Sequence, residues 1–168
     1  AVLVEIVQGE GGIRPMHAEY AKGIEALCRE KGILFLVDEV QGGLFSTGKP
    51  WAFQQFDLKP DAISCAKALA NGLPMGAMMT TDEVSKGFVA GSHATTFGGG
   101  ALTSAVAAKV VRIMKRDHPD ERAASLGGEF MEAIRRIRES HPGPIKEVRG
   151  LGLMLGRARA FTAKAGWE

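Results

Sequence analysis

The chain has 168 residues, 45% of them hydrophobic and 24% charged, enough for one domain with a sizeable core. Its 21 Lys and Arg against 19 Asp and Glu leave a net charge of +2 with no basic block, so nothing points to a nucleic acid or a membrane surface as partner. Cys28 and Cys65 have neither metal-ligand spacing nor a disulfide framework, and they read as small buried hydrophobes in a reducing, cytoplasmic compartment.

In chain order, Ala1–Val7 is predicted as a buried strand that runs into the glycine turn GEGG of residues 9–12. It is too short and has no basic leader for a signal peptide, and no apolar run approaches the ~20 residues of a membrane span. A domain rarely begins on such a strand, so the chain reads as a piece of something longer. His17–Lys31 carries Tyr20, Ile24, Leu27 and Cys28 at helical spacing, with Gly32 as the stop. Ile33–Val37 is a continuous β-prone run, predicted as a strand covered on both faces. A Gly-rich loop leads to two shorter strands, Asp61–Cys65 and Gly76–Thr80.

From Ala101 the period becomes helical, with Leu102, Val106, Val110, Ile113 and Met114 on one face. Pro119–His141 repeats the pattern through Leu126, Phe130, Ile134 and Ile137, although Gly127 and Gly128 weaken its middle. HPGP at 141–144 is a break, and IKEVRGLGLMLG after it reads as a strand opening a second domain. Strands alternating with helices predict an α/β architecture with a mostly parallel sheet, whose ligands sit at the carboxyl ends of the strands.

The candidate chemistry collects at such ends. Asp38, in LVDEVQGG, is a carboxylate after an apolar run, which suits a helix cap, a hydrogen-bond acceptor or a partner for a cation or protonated ring. Glu39 points to the opposite face if the strand continues, and so reads as structural. Lys67 follows DAISCA at a second strand end on the same edge, between apolar residues; a desolvated lysine there suits Schiff-base chemistry. GSHATTFGGG, 91–100, offers hydroxyls and open backbone N–H groups to a phosphate. Glu10 sits in the glycine turn, as a loop acid or as a carboxylate facing the same cleft. His17, His93, His118 and His141 form no constellation. The chain lacks a Ser/His/Asp set, a metal cluster, a Walker loop and a Gly-x-Gly-x-x-Gly turn.

EIVQGEGG, FLVDEVQGG, SCAKALANGLPMGA and SHATTFGGG, in this order, resemble the class III (ω-) aminotransferases, most of all those acting on acetylornithine and ornithine. The likeness runs from residue 1 to about 156, and the 29 positions between Asp38 and Lys67 match the family's pair. The resemblance implies fold type I, with residues 1–143 as the central part of the large cofactor domain and 144–156 as the start of the small one. It implies pyridoxal 5'-phosphate as cofactor, with Lys67 as the lysine that carries it and shuttles the proton. Asp38 then pairs with the pyridine nitrogen, Val40 packs on the ring and Gln41 meets the phenolic oxygen. Thr96 binds the phosphate of a neighbouring subunit, which implies a homodimer, and Glu10 gates a substrate-binding arginine. The implied reaction moves an amino group from an ω-amino or acetylornithine-like donor to 2-oxoglutarate.

Departures from the family pattern stand at Ile6 for a proline, Ser46 for an arginine and Gly100-Ala101 for Asn-Pro. The family's phosphate loop, ring-stacking aromatic and carboxylate-binding arginine lie in regions that this sequence does not contain. Residues 157–168, RARAFTAKAGWE, read as an out-of-frame tail without strand alternation. Two other readings therefore stand beside the aminotransferase: a truncated, non-catalytic remnant, and a related aminomutase.

Overall fold

The computed structural model describes residues 1–143 and 145–159. Four strands form its main sheet: β1 (Val2–Val4), β4 (Phe35–Asp38), β5 (Ala62–Cys65) and β6 (Ala77–Thr80), in the order β1-β4-β5-β6. The first three run parallel and β6 returns antiparallel, so the sheet is mostly parallel as the alternation predicted. Two further pairs are antiparallel: β2 (Val7–Gln8) with β3 (Arg14–Pro15), and β7 (Ile145–Leu151) with β8 (Met154–Arg159). The helices are α1 (Ala18–Lys31), the single turn α2 (Asp82–Ser85), α3 (Ala101–Asp117) and α4 (Pro119–Ser140).

The local reasons are visible in each element. α1 has Glu19 in its first turn, Arg29 and Lys31 in its last, and Gly32 at φ 62° to close it. The Ile33 N–H donates to Cys28 O at 3.0 Å, completing a left-handed cap that only glycine adopts cheaply. Half of the predicted stripe faces the core: Cys28 is sealed and Ile24 packs against it, whereas Tyr20 and Leu27 are exposed and Ala21 is sealed instead. Small residues let α1 approach β4, whose Phe35 and Val37 are fully buried beneath it. The opposite face of β4 is only half covered. Ala1–Val7 is not one strand, because Val2–Val4 pairs with β4 while Val7–Gln8 turns away to pair with β3.

One ion pair ties α1 to the sheet. The Arg29 Nη1 donates to both Asp61 oxygens, at 2.7 and 2.9 Å, and Nη2 donates to Lys59 O. Asp61 Oδ2 also accepts the Phe35 N–H at 2.8 Å, and Asp61 N–H donates to Phe35 O at 2.8 Å. The start of β5 is thereby stapled to the start of β4. Burial pushes the Asp61 carboxyl up, but the Phe35 N–H and the Arg29 guanidinium outweigh it and hold it below the usual carboxylate range.

β7 and β8 form a hairpin, not the single strand expected after the HPGP break. β8 continues through Arg157 and Ala158, which pair with Val148 and Glu147, so the first residues of the presumed tail are strand. Residues 160–168 lie outside the described residues. The hairpin's turn at Gly152 packs where Gly127 of α4 has no side chain; a Cβ at Gly127 would collide with the Gly152 carbonyl. Leu153 N–H donates to Ser46 O at 2.9 Å from the same turn. Gly128, by contrast, has open space around it.

Gly127→Ala is expected to destabilise the chain by about 1–3 kcal/mol through overpacking, and Gly128→Ala to be neutral or to stabilise it by up to about 1 kcal/mol. Urea unfolding compares them, and equal effects would refute the contact. Asp61→Asn tests the staple. A carboxyl with a depressed folded-state pKa contributes stability above its unfolded value, roughly pH 4, and loses it as pH falls through the folded value. The variant is expected to be about 1–2 kcal/mol less stable than the parent at pH 7, and the difference to shrink toward zero near pH 2.

Candidate active site

The carboxyl ends of β4 and β5 place the two lead residues on one edge. Asp38 closes β4 opposite Ser64 of β5, and Lys67 begins a 3-10 turn, Lys67–Ala70, directly after β5. The Asp38 carboxylate is half-buried and held by one oxygen: Oδ1 accepts the Val40 N–H at 2.8 Å and the Ser64 hydroxyl at 3.0 Å. Oδ2 has no partner among the described residues and is not sealed from solvent. One oxygen is thus fixed and the other stays open at a strand end, where it can accept a charge-assisted hydrogen bond.

Glu39 divides from Asp38 as the strand alternation predicts. It is 1% exposed, and its two oxygens accept the Ala52 and Phe53 N–H groups at 3.0 and 2.9 Å. These groups open the 3-10 turn Ala52–Phe56, so Glu39 accepts its first two N–H groups while the turn's own Gln54 Oε1 accepts the Trp51 N–H at 3.1 Å. Burial pushes its carboxyl above the usual range, against the pull of the two N–H donors.

Lys67 differs from its expectation. It is exposed rather than desolvated. Its backbone is unusual, with φ 51° in the left-handed region that a lysine resists by about 1–2 kcal/mol. From Ala66, at φ −158° and ψ −142°, the chain bends at the lysine and turns into Leu69 and Ala70, which are buried.

Gln41 and Glu10 come together. The Gln41 Nε2 donates to Glu10 Oε1 at 3.3 Å, although 31 positions separate them. Gly9 permits the approach, since a Cβ there would overlap the Gln41 amide. Val40 is half-buried beside Asp38. Thr96 is not gathered in: it is exposed, as is all of 85–99, and Phe97 is 90% exposed. Among the described residues no hydrogen bond joins Thr96 to Asp38, Gln41 or Lys67, and no group of His, Cys, Asp and Glu is arranged to hold a metal.

Two participants were missed in the sequence. Ser64 is the donor that orients Asp38, and the only trace of it was its place at the strand end. Arg149 reaches from β7 to the turn that carries Glu10, with Nε 2.9 Å from Gly12 O; an arginine in a strand has no local signature of such a role. Both cysteines are free and buried, as expected, and burial pushes the Cys65 thiol up.

The profile of the aminotransferase class-III family matches residues 1–164, eight residues beyond the expected limit near 156. Acetylornithine aminotransferase of Myxococcus xanthus is 44% identical over 157 residues, covering 93% of this chain and 39% of that protein. The crystal structure of acetylornithine aminotransferase from Elizabethkingia anophelis superposes with a TM-score of 0.93 at 33% identity, over 98% of this chain and 43% of that one. Ornithine aminotransferase from Toxoplasma gondii, described with partial occupancy of PLP at its active site, gives 0.87 at 37% identity, over 91% and 36%. The chain belongs to the class III aminotransferase family and has the α/β fold of those enzymes. It spans about two-fifths of the length of the curated relatives it matches.

The backbone at Lys67 makes a trade between stability and chemistry testable. Lys67→Asn, a residue at ease in the left-handed region, is expected to raise stability by about 0.5–1 kcal/mol in urea unfolding. A lower midpoint would show that the lysine is not strained there.

Proposed function

We propose that this chain carries the lysine–carboxylate half of a pyridoxal-phosphate-dependent transaminase. The observation that supports it most is Asp38, anchored through Oδ1, open at Oδ2, and opposite the strand that runs into Lys67. The residues present suit this cofactor: an open carboxylate for a protonated ring nitrogen, an amide at Gln41 for the phenolic oxygen, and an exposed amine for the aldehyde. When bound, the cofactor supplies an aldehyde for amine exchange and a ring that accepts electron density. Asp38 would keep the ring nitrogen protonated, because its charge favours the protonated form. Val40 would pack on the ring. The Lys67 Nζ would hold the cofactor, then take a proton from the substrate carbon and return it. Glu10, held by Gln41, would gate the substrate carboxylate.

The substrates in this reading are an ω-amino or acetylornithine-like donor and a 2-oxo acid such as 2-oxoglutarate. The names of the relatives, which include a [LysW]-aminoadipate semialdehyde transaminase from Deinococcus radiodurans, support an amino acid or semialdehyde class. A homodimer is part of the reading, with Thr96 serving the neighbouring site; the uniform exposure of 85–99 supports a segment that seats on another copy. Residues 1–143 would belong to the large domain and 144–156 would open the small one. The two free buried thiols suit a cytoplasmic setting, and among the described residues no helix is long and apolar enough to cross a membrane.

A second reading, a chain that keeps the fold without turnover, draws on the exposure of Lys67. One experiment separates the two. The purified chain is mixed with pyridoxal phosphate, reduced with borohydride and mapped by mass spectrometry. Selective labelling of Lys67 over other exposed lysines such as Lys31 and Lys86 is expected, with none at that peptide in Lys67→Ala. Asp38→Asn should weaken cofactor retention about 10- to 100-fold. No selectivity for Lys67 would sink the binding claim. Labelling without amino transfer to 2-oxoglutarate from acetylornithine, ornithine or any other ω-amino donor tried would support the second reading.

A further inference from the structure

The turn that carries Glu10 has a shape its own residues oppose. Gly12 has φ 99°, which glycine accepts, but the next residue is Ile13 at φ 53°, a β-branched side chain in the left-handed region. Such a conformation persists only where the surroundings over-determine it. Gly12 and Ile13 N–H both donate to Gly9 O, at 3.1 and 3.2 Å, and Glu5 accepts the Gly9 N–H at 3.2 Å. These bonds close the near side of the turn and leave the carbonyls of Gly12 and Ile13 pointing away.

Arg149 takes those two carbonyls. Its Nε donates to Gly12 O at 2.9 Å and Ile13 O at 3.1 Å, and its Nη2 to Gly12 O at 2.6 Å. The remaining arm, Nη1, meets Glu147 Oε2 at 2.6 Å, two residues away on the same strand. The side chain is only 14% exposed. β8 completes the seat: at Gly156 a Cβ would lie 2.9 Å from the Ile13 Cβ and 3.2 Å from Gly12 O. Three separate features, a strained isoleucine, a fully engaged guanidinium and an absent side chain, converge on one turn.

We propose that Arg149 is a positioning residue, which clamps the Gly9–Ile13 turn in its strained shape and so holds the Glu10 carboxylate on the Gln41 amide. Glu147 fixes the guanidinium in the plane that reaches both carbonyls. Lysine cannot replace it, because a single ammonium does not present a rigid fork to two neighbouring oxygens. The role of Glu10 and Gln41 in the chemistry rests on the reading of the site given above; the clamp itself does not.

The test uses the cofactor-free full chain and the variants Arg149→Lys and Arg149→Ala. Amide hydrogen exchange across residues 7–16 should rise at least tenfold in Arg149→Ala, and less in Arg149→Lys. Exchange in Phe35–Asp38 and Ala62–Cys65 should stay unchanged. The Gln41 side-chain amide resonance should move to where Glu10→Ala puts it. Ile13→Asn, which relieves the left-handed cost, should restore most of the protection in the Arg149→Ala background. Unchanged exchange at 9–13, a loss shared equally with β4 and β5, a Gln41 resonance that stays in place, or failure of the Ile13→Asn rescue would each overturn the clamp. Borohydride labelling of Lys67 in the parent chain separates the two claims. If the parent chain does not label, the reading of the site fails while the exchange data still decide the clamp.

Discussion

The register between β4 and β5 governs everything that follows along this edge of the sheet. It is set at the opposite end, where Asp61 binds Phe35 N–H and the Arg29 fork together. With Asp61 pinned beside Phe35, Leu36 falls opposite Ala62 and Asp38 opposite Ser64. A slip of one residue would turn Asp38 to the other face and put Glu39 in its place. The staple therefore decides which of two adjacent acids is sealed beneath the Ala52 turn and which is left open.

The two acids show how position assigns chemistry to identical functional groups. Glu39 spends both oxygens on backbone N–H groups and has none left for a ligand. Asp38 spends one oxygen on its neighbours and keeps the other. Burial opposes ionisation of Glu39, and its two hydrogen bonds answer that cost locally.

Much of the fold was legible in the residues, because it rests on short-range rules. Gly32 as a stop, Pro119 as a helix start and the continuous apolar run before Asp38 act through local geometry. The less legible parts depend on partners that periodicity does not name. The first strand divides because Val7 pairs with Pro15 while Val4 pairs with Val37, and an apolar run carries no mark of a change of partner. On α1 Cys28 and Ile24 face the core as the pattern indicates, but Ala21 is sealed where it pointed to Tyr20 and Leu27, since close packing favours a small residue there. At the candidate site, Asp38 and Glu10 stand out in the sequence because they follow a strand and sit in a glycine turn, and Gln41 through the family resemblance. Ser64 and Arg149 act on another residue across the fold, which leaves no trace nearby. The exposure of Lys67 was misjudged for a related reason: burial belongs to what packs over a strand end, not to the apolar residues beside it in sequence.

The Arg149 contact also has a consequence for the order in which the molecule acquires its shape. It joins residues 137 positions apart, and closing so long a loop is disfavoured until intervening segments have compacted. The parallel strands close loops of about 25 to 35 residues, and α1 closes none. A chain emerging from the ribosome can thus complete its sheet edge, with Asp38 and Lys67 in place, well before the strand bearing Arg149 exists. The Glu10 turn must wait for that strand, and until then its isoleucine is free to leave the left-handed region. The turn bearing Glu10, made early in the chain, is thus finished after the sheet edge that it faces.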